Sequence, residues 1–173
     1  MTYTIRVWVD GTCYTPANGE AIGAAAAIAE HRNSGVLETH TAILPTPPSP
    51  TAGRADLMAI ILALEEAVRR ANTQVFLEER MHVIIYTTSA YAHRVMTSWI
   101  AAHIDRDCRD DIRNYSSAQG GSGNRDLTEH AVNLQSEVEW CGPVDYVLIE
   151  EWQNQDARNA ADWAVDASLE GQY

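Results

Sequence analysis

Val7-Trp8-Val9-Asp10-Gly11-Thr12-Cys13 is the stretch on which the reading of this chain turns. Val7 and Val9 alternate with larger neighbours in the β-branched pattern of a buried strand. The alternation then meets an acid followed by glycine. A carboxylate at the end of a core strand packs poorly and is well placed to bind a metal. The plainer reading makes Asp10-Gly11 a hairpin turn, with Gly11 supplying the backbone freedom. These seven residues alone favour the turn, and the rest of the chain has to decide between the two readings.

Downstream, Tyr14 to Glu20 carries Pro16, Asn18 and Gly19, a loop signature. Ala21 to Arg32 is ambiguous. Its run Ala24 to Ala27 has high helix propensity, yet Gly23 before it and Asn33-Ser34-Gly35 after it suit a strand in a hairpin ladder equally well. Val36 to Leu44 alternates with Leu37, Thr39, Thr41 and Ile43 on one face, which makes a three-strand meander the reading adopted. Pro45, Pro47, Pro48 and Pro50 end regular structure there, because none can donate to a ladder.

Arg54 to Arg70 is helical, with Leu57, Ile61, Leu64 and Val68 at three- and four-residue intervals. Asp56 is expected in the first turn, where the helix dipole alone would explain it. Met81 to Thr87 reads as a covered strand, and Ala90 to His103 as a helix with Trp99 on its core side. Asp105 to Arg113 mixes four Asp with three Arg, and Ser116 to Gly123 is rich in Gly and Ser; a mobile loop is expected. Asp126-x-x-Glu129 resembles a capping pair opening a helix that Gly142-Pro143 ends. Val144 to Ile149 is a last strand, Glu150 to Arg158 a polar loop, and Ala160 to Leu169 a final helix bearing Asp162 and Asp166. The order β-β-β-α-β-α-α-β-α implies an α/β (α+β mixed) fold: three antiparallel meander strands plus two parallel strands in one mixed sheet, with helices on both faces.

The 173 residues suit a single domain, 1–173. The start lacks a basic region followed by an apolar run, and no stretch approaches a membrane span. Cys13, Cys108 and Cys141 are unpaired in spacing, so a cytoplasmic or nuclear location with reduced thiols is expected. The net charge is −12, and between Glu129 and Glu170 ten acids face the single Arg158. Such a surface starts at a disadvantage for holding phosphates. All twelve basic residues are Arg, which fits either drift in base composition or avoidance of ubiquitin attachment to Lys.

Five segments in order resemble ribonuclease H, the nuclease that cuts the RNA strand of RNA/DNA hybrids. Val9-Asp10-Gly11-Thr12-Cys13 resembles the family's first-strand motif, and Arg54-Ala55-Asp56-Leu57-Met58-Ala59 its first-helix motif, normally Arg-x-Glu-Leu. Ile85-Tyr86-Thr87-Thr88-Ser89-Ala90-Tyr91, with Trp99-Ile100, is similar to the Thr-Asp-Ser strand end and the helix after it. Asn124-Arg125-Asp126-Leu127 resembles the opening of the fourth helix, and Ala161-Asp162-Trp163-Ala164 the closing Ala-Asp-x-x-Ala segment.

The resemblance implies a site of four carboxylates holding two Mg²⁺ (or Mn²⁺) ions that clamp the attacking water and leaving oxygen of a phosphodiester. Carried over by position, Asp10 is the acid expected to bridge the ions, Asp56 stands where the family has Glu, and Asp162 matches the last-helix acid. Thr88 occupies the place of the third acid, so the cluster lacks one charge; Glu150 or Glu151 are the candidate substitutes. The family's mobile His falls at Trp152. Its hybrid-contacting Asn residues fall at Ala52 and Gly53, and its basic grip falls where Asp105, Asp107, Asp110 and Asp111 offset Arg106, Arg109 and Arg113. The expectation is a ribonuclease H-like domain with lost or strongly weakened cleavage and a binding role. The alternative is an active enzyme on RNA/DNA hybrid with a rearranged site. Trp140, Trp152 and Trp163 among the C-terminal acids suit a protein partner better than a polyphosphate.

Overall fold

The computed structural model describes residues 2–17, 19–30, 35–73, 80–99 and 124–171, apart from the side chains of Thr2 and Trp99. Its sheet has the order β3-β2-β1-β4-β5. The middle strand, β1 (Thr2–Tyr14), runs antiparallel to β2 (Ile22–Glu30), which runs antiparallel to β3 (Leu37–Ile43). On its other side β1 pairs in parallel with β4 (Arg80–Thr87), and β4 with β5 (Val144–Leu148). The expected mixed sheet and element order are therefore present, and the parallel pairs are joined through helices as their geometry requires.

The expected turn at Asp10-Gly11 is not there. β1 continues to Tyr14, still paired with β2 through Tyr14 and Ile22. Gly11 serves a different purpose, a close approach of backbones: a Cβ at this position would stand 2.3 Å from the Ala55 carbonyl carbon and 2.4 Å from the Asp56 nitrogen. That contact seats α1 (Ala52–Thr73) against the strand. Asp56 is the fifth residue of α1, beyond its first turn, so the dipole explanation for this acid is withdrawn.

The ambiguous alanine run resolves as strand β2, with Ala24 through Ala27 and Ala29 fully buried. Helices cover both its faces. Ala25, Ala27 and Ala29 join the core beneath α1, whereas Ala24 packs with Ala164 and Val165 of α4 (Gln155–Glu170) on the opposite side. A methyl group on each face lets two helices approach one strand, so tertiary packing overrides the helix propensity of alanine.

Two further expectations need correction. Asp126 and Glu129 do not cap α3 (Arg125–Glu139). Asp126 instead receives both terminal nitrogens of Arg54, at 2.8 Å each, and Glu129 receives Arg125 at 2.7 Å. The final helix begins at Gln155 rather than Ala160, after a 3-10 turn over Glu151–Gln153. Asn154 anchors that start, because its buried amide donates to the Val9 carbonyl at 2.9 Å. Helix α2 (Ala90–Arg94) passes into a π-helical turn at Val95–Trp99. The rest of that expected helix and the loop expected between Asp105 and Gly123 lie outside the described residues, as does the core placement expected for the Trp99 side chain.

Candidate active site

Pairing of β1 with β4 ends at Val9 and Thr87, so Asp10 projects just past the end of β4. It is 5 % exposed. Its Oδ1 accepts the Gly11 N–H at 2.9 Å, and its Oδ2 lies 3.8 Å from Arg158 Nη1 of α4. Burial pushes the Asp10 pKa above the ordinary carboxylate range. The Arg158 charge and the Gly11 N–H pull it back, and the charges of Asp162 and Glu151 push it up further.

Asp56 comes to the same place from α1. Burial raises its pKa to about 6; the Ser89 hydroxyl, Arg158 and the Gly11 N–H counter that rise, and Asp10 adds to it. Ser89 is itself held, since its Oγ accepts the Ala92 N–H at 3.1 Å as the N-cap of α2. Two carboxylates thus lie within the influence of one backbone N–H, at the end of a sheet where water is partly excluded. Such a pair is disfavoured when both are ionised, unless a cation or a proton is shared.

The remaining candidates are arranged around this pair. Thr88 follows the last residue of β4 and is half-buried. The Ile149 N–H donates to the Thr87 carbonyl at 2.9 Å, which keeps the chain leaving β5 beside the end of β4 and brings Glu150 there, although Glu150 and Glu151 are exposed. Asp162 is exposed on α4, and its charge is felt at Asp10. Asp10, Asp56 and Asp162 do not form a group whose ligand atoms all lie within 4.8 Å of one another; among the described residues the group that does is Glu38, His40 and Glu66, two carboxylates and an imidazole. Glu66 is ten residues beyond Asp56 on α1, about 15 Å along the helix, and its carboxylate already receives Arg69 at 2.7 Å and also Arg70.

Of the two positions where the resemblance puts substrate-contacting Asn residues, Ala52 is exposed and Gly53 is packed. A Cβ on Gly53 would stand 3.1 Å from Tyr91 Cε1, and the Tyr91 hydroxyl accepts from the Asn124 amide at 2.8 Å. Trp152 is 74 % exposed. The sequence reading missed three residues: Arg158, Ser89 and Asn154. Arg158 was detectable, because it precedes Asp162 by four positions on a helix and so shares its face. Ser89 has the composition of an N-cap before Ala90. Nothing in the local sequence marks Asn154, whose partner is in the first strand.

The comparisons with known proteins bear on the family and the fold. The family model for RNase H matches residues 3–141. No curated protein matches. Among solved structures, LC9-RNase H1, described as a type 1 RNase H with the type 2 active-site motif, is similar at 21 % identity over 96 % of this chain and 74 % of that one, with a TM-score of 0.64. RNase H1 from the halophilic archaeon Halobacterium salinarum NRC-1 shares 16 % identity over 95 % and 98 % of the two chains, with a TM-score of 0.61. LC11-RNase H1, solved in complex with an RNA/DNA hybrid, shares 17 % over 95 % and 99 %, also at 0.61. At these identities the structures speak for the fold, while the family model spans most of the chain, including the strand of Asp10, the helix of Asp56 and the strand end at Thr88. The chain therefore belongs to the RNase H family.

Proposed function

We propose that this protein is an RNase H-fold domain, residues 1–173, in which hydrolysis of the RNA strand of RNA/DNA hybrids is lost or strongly weakened, and which serves as a binding module. The observation that carries the reading is the charge set around Asp10. A neutral hydroxyl, Thr88, follows the neighbouring strand where the family has an acid, and the Arg158 guanidinium lies 3.8 Å from Asp10. Affinity for Mg²⁺ grows with the number and placement of charged oxygens. Two clustered carboxylates, one exposed acid and a resident cation do not fit a pair of such ions. Asp10, Asp56 and Asp162 are the residues that would contact a single Mg²⁺ or Mn²⁺. The acidic surface and the indole of Trp152, where a proton-carrying His would otherwise stand, support the same reading.

The test is incubation with an RNA/DNA hybrid and Mg²⁺ or Mn²⁺ at a protein concentration where an intact relative finishes the reaction. The RNA strand is expected to stay whole. Metal-dependent cleavage that Asp10→Asn abolishes would overturn the proposal. One observation favours a second reading, an active hydrolase with Glu151 or Glu150 completing the site: the charge of Glu151 reaches Asp10. On that reading, crystals soaked in Mn²⁺ show an ion between Asp10 and Asp162.

A further inference from the structure

The sheet ends in two edge strands, β5 and β3, and the chain does not treat them alike. β5 is five residues long, exposes Asp145, and has its Tyr146 carbonyl taken by His93 Nε2 of α2 at 3.3 Å. Shortness, an exposed charge and an occupied backbone group all discourage another strand from pairing there. β3 has none of these guards among the described residues. It is seven residues long, pairs with β2 one residue to one residue without a bulge, and contains no proline or lysine. Its acid, Glu38, is engaged on the α1 side, 3.3 Å from Arg69 and 3.6 Å from Arg70. Both α1 and α4 rest chiefly on β1 and β2, which leaves β3 at the rim.

The backbone of this rim is unanswered. The Leu44 N–H donates to the Gly23 carbonyl at 2.8 Å. Counted back from that pair, Ala42, His40 and Glu38 direct their backbone groups to β2, whereas Ile43, Thr41, Thr39 and Leu37 direct theirs outward. No hydrogen bond from the described residues reaches those outward groups. The side chains of the same four residues are exposed and uncharged.

We propose that β3 pairs antiparallel with β3 of a second copy of this chain, about a two-fold axis at His40. Leu37-Glu38-Thr39-His40-Thr41-Ala42-Ile43 reads nearly the same in either direction, and this register uses its whole length. Leu37 of one copy then faces Ile43 of the other, and Thr39 faces Thr41. Aliphatic and hydroxyl pairs of these kinds stabilise antiparallel strands. They are also the residues whose N–H and C=O point outward, so every outward group finds a partner. Glu38 faces Ala42, and no acid opposes an acid. His40 meets its counterpart on the axis, with its Nε2 3.4 Å from Glu66 and 3.7 Å from Glu38 of its own chain. A strand of unrelated sequence would share the backbone bonds but not this side-chain match, which selects a second copy. Self-pairing of this kind closes at two chains, and the guarded β5 edge keeps the joined sheet from growing further. The pairing uses none of the residues at the carboxylate site, so it stands or falls separately from the cleavage test.

Sedimentation equilibrium and amide hydrogen exchange of the full chain, from micromolar to millimolar protein, test it. Salt at about 0.15 M screens the mutual repulsion of two chains of net charge −12. A monomer–dimer equilibrium is expected, and a weak one, because so short a pairing buries an area at the small end of specific interfaces. The Leu37, Thr39, Thr41 and Ile43 amides are expected to exchange freely in dilute protein and to become protected as the dimer forms. Thr39→Lys with Thr41→Lys places like charges opposite one another and is expected to weaken association about tenfold, as is Thr39→Glu with Thr41→Glu. An equimolar mixture of the two variants is expected to associate again, since each Lys then faces a Glu. A chain that stays monomeric at millimolar concentration would overturn the proposal. So would amides already protected in dilute protein, which would mean that the chain covers its own edge, or a mixture that associates no better than its components.

Discussion

Arg158 of the last helix and Asp10 of the first strand meet at 3.8 Å, the guanidinium facing the carboxylate from the side of the sheet that α4 covers. A positive charge is therefore built in where a divalent ion would have to approach. A second cation within several ångströms is opposed by on the order of 1.4 kcal/mol, about tenfold in affinity. Arg158→Gln should accordingly tighten Mn²⁺ binding about tenfold, measured by calorimetry or by the electron paramagnetic resonance signal of free Mn²⁺. Because the Arg158 side chain is nearly half-exposed, the same variant should change unfolding free energy by less than about 1 kcal/mol. Unaltered Mn²⁺ affinity would remove Arg158 from the account of the site.

Asp56 gives the molecule a pH dependence of definite sign. Its folded pKa, about 6, lies above the unfolded value, so between the two the folded state holds the extra proton. Stability is then fully present below the unfolded pKa and falls as pH rises through about 6. Asp56→Asn should flatten that slope and gain on the order of 1 kcal/mol at pH 7.5. Urea midpoints for both proteins at pH 5 and pH 7.5 measure it. A wild-type midpoint that climbs between those values for want of any Asp56 contribution, equally in the variant, contradicts the assignment.

Gly11 admits no side chain. With 2.3 Å between a virtual Cβ and the Ala55 carbonyl carbon, Gly11→Ala must lift α1 from the strand, and the obstacle is backbone, which cannot rotate away. A loss of about 3 kcal/mol is expected, read as a fall in melting temperature. A variant as stable as the parent would mean that the helix and strand are not in this contact.

Arg54 and Asp126 tie α1 to α3. The Arg54 side chain is 2 % exposed, with its Nε unpartnered and both terminal nitrogens on Asp126. Asp126→Ala strands a buried cation. Because the Asp126 side is solvent-exposed, the expected cost is about 2 kcal/mol, between the values for buried and surface pairs. The Asp126 pKa is lowered, first by the Arg54 hydrogen bond, so this contribution is present above the unfolded carboxylate pKa and is lost as pH falls through the folded one. Denaturant unfolding of the variant at neutral pH and below pH 3 should show the difference shrinking in acid.

Where sequence reading succeeded and where it failed has a physical pattern. The strand of Val83 and Ile85 and the helix of Leu57, Ile61 and Leu64 were legible because burial on one face or two leaves a period in the residues themselves. Ala24 to Ala27 was ambiguous from its own residues, and the meander that made it a strand was read from its flanks, because its conformation is imposed by two helices that arrive from elsewhere in the chain. Asp10-Gly11 was misleading for the same reason: the glycine answers a backbone that approaches from α1, not a local bend. Asp126 looked like half of a cap, and its true partner lies 72 residues away. At the site, Asp10, Asp56, Thr88 and Asp162 could be named from motif order. Arg158 could have joined them by its four-residue spacing from Asp162, whereas Asn154 acts through a contact with the first strand that no short window contains.

The alanines of β2 have one more consequence. On the α4 side the methyl of Ala24 packs with Ala164 and Val165 between Ile22 and Leu169, so the helix lies close to the sheet. Two polar ties fasten its first turns to neighbouring positions of the first strand, the Asn154 amide on the Val9 carbonyl and Arg158 beside Asp10. A bulkier side chain at Ala24 would therefore pry the helix outward against both fastenings and carry its acid away from the strand end.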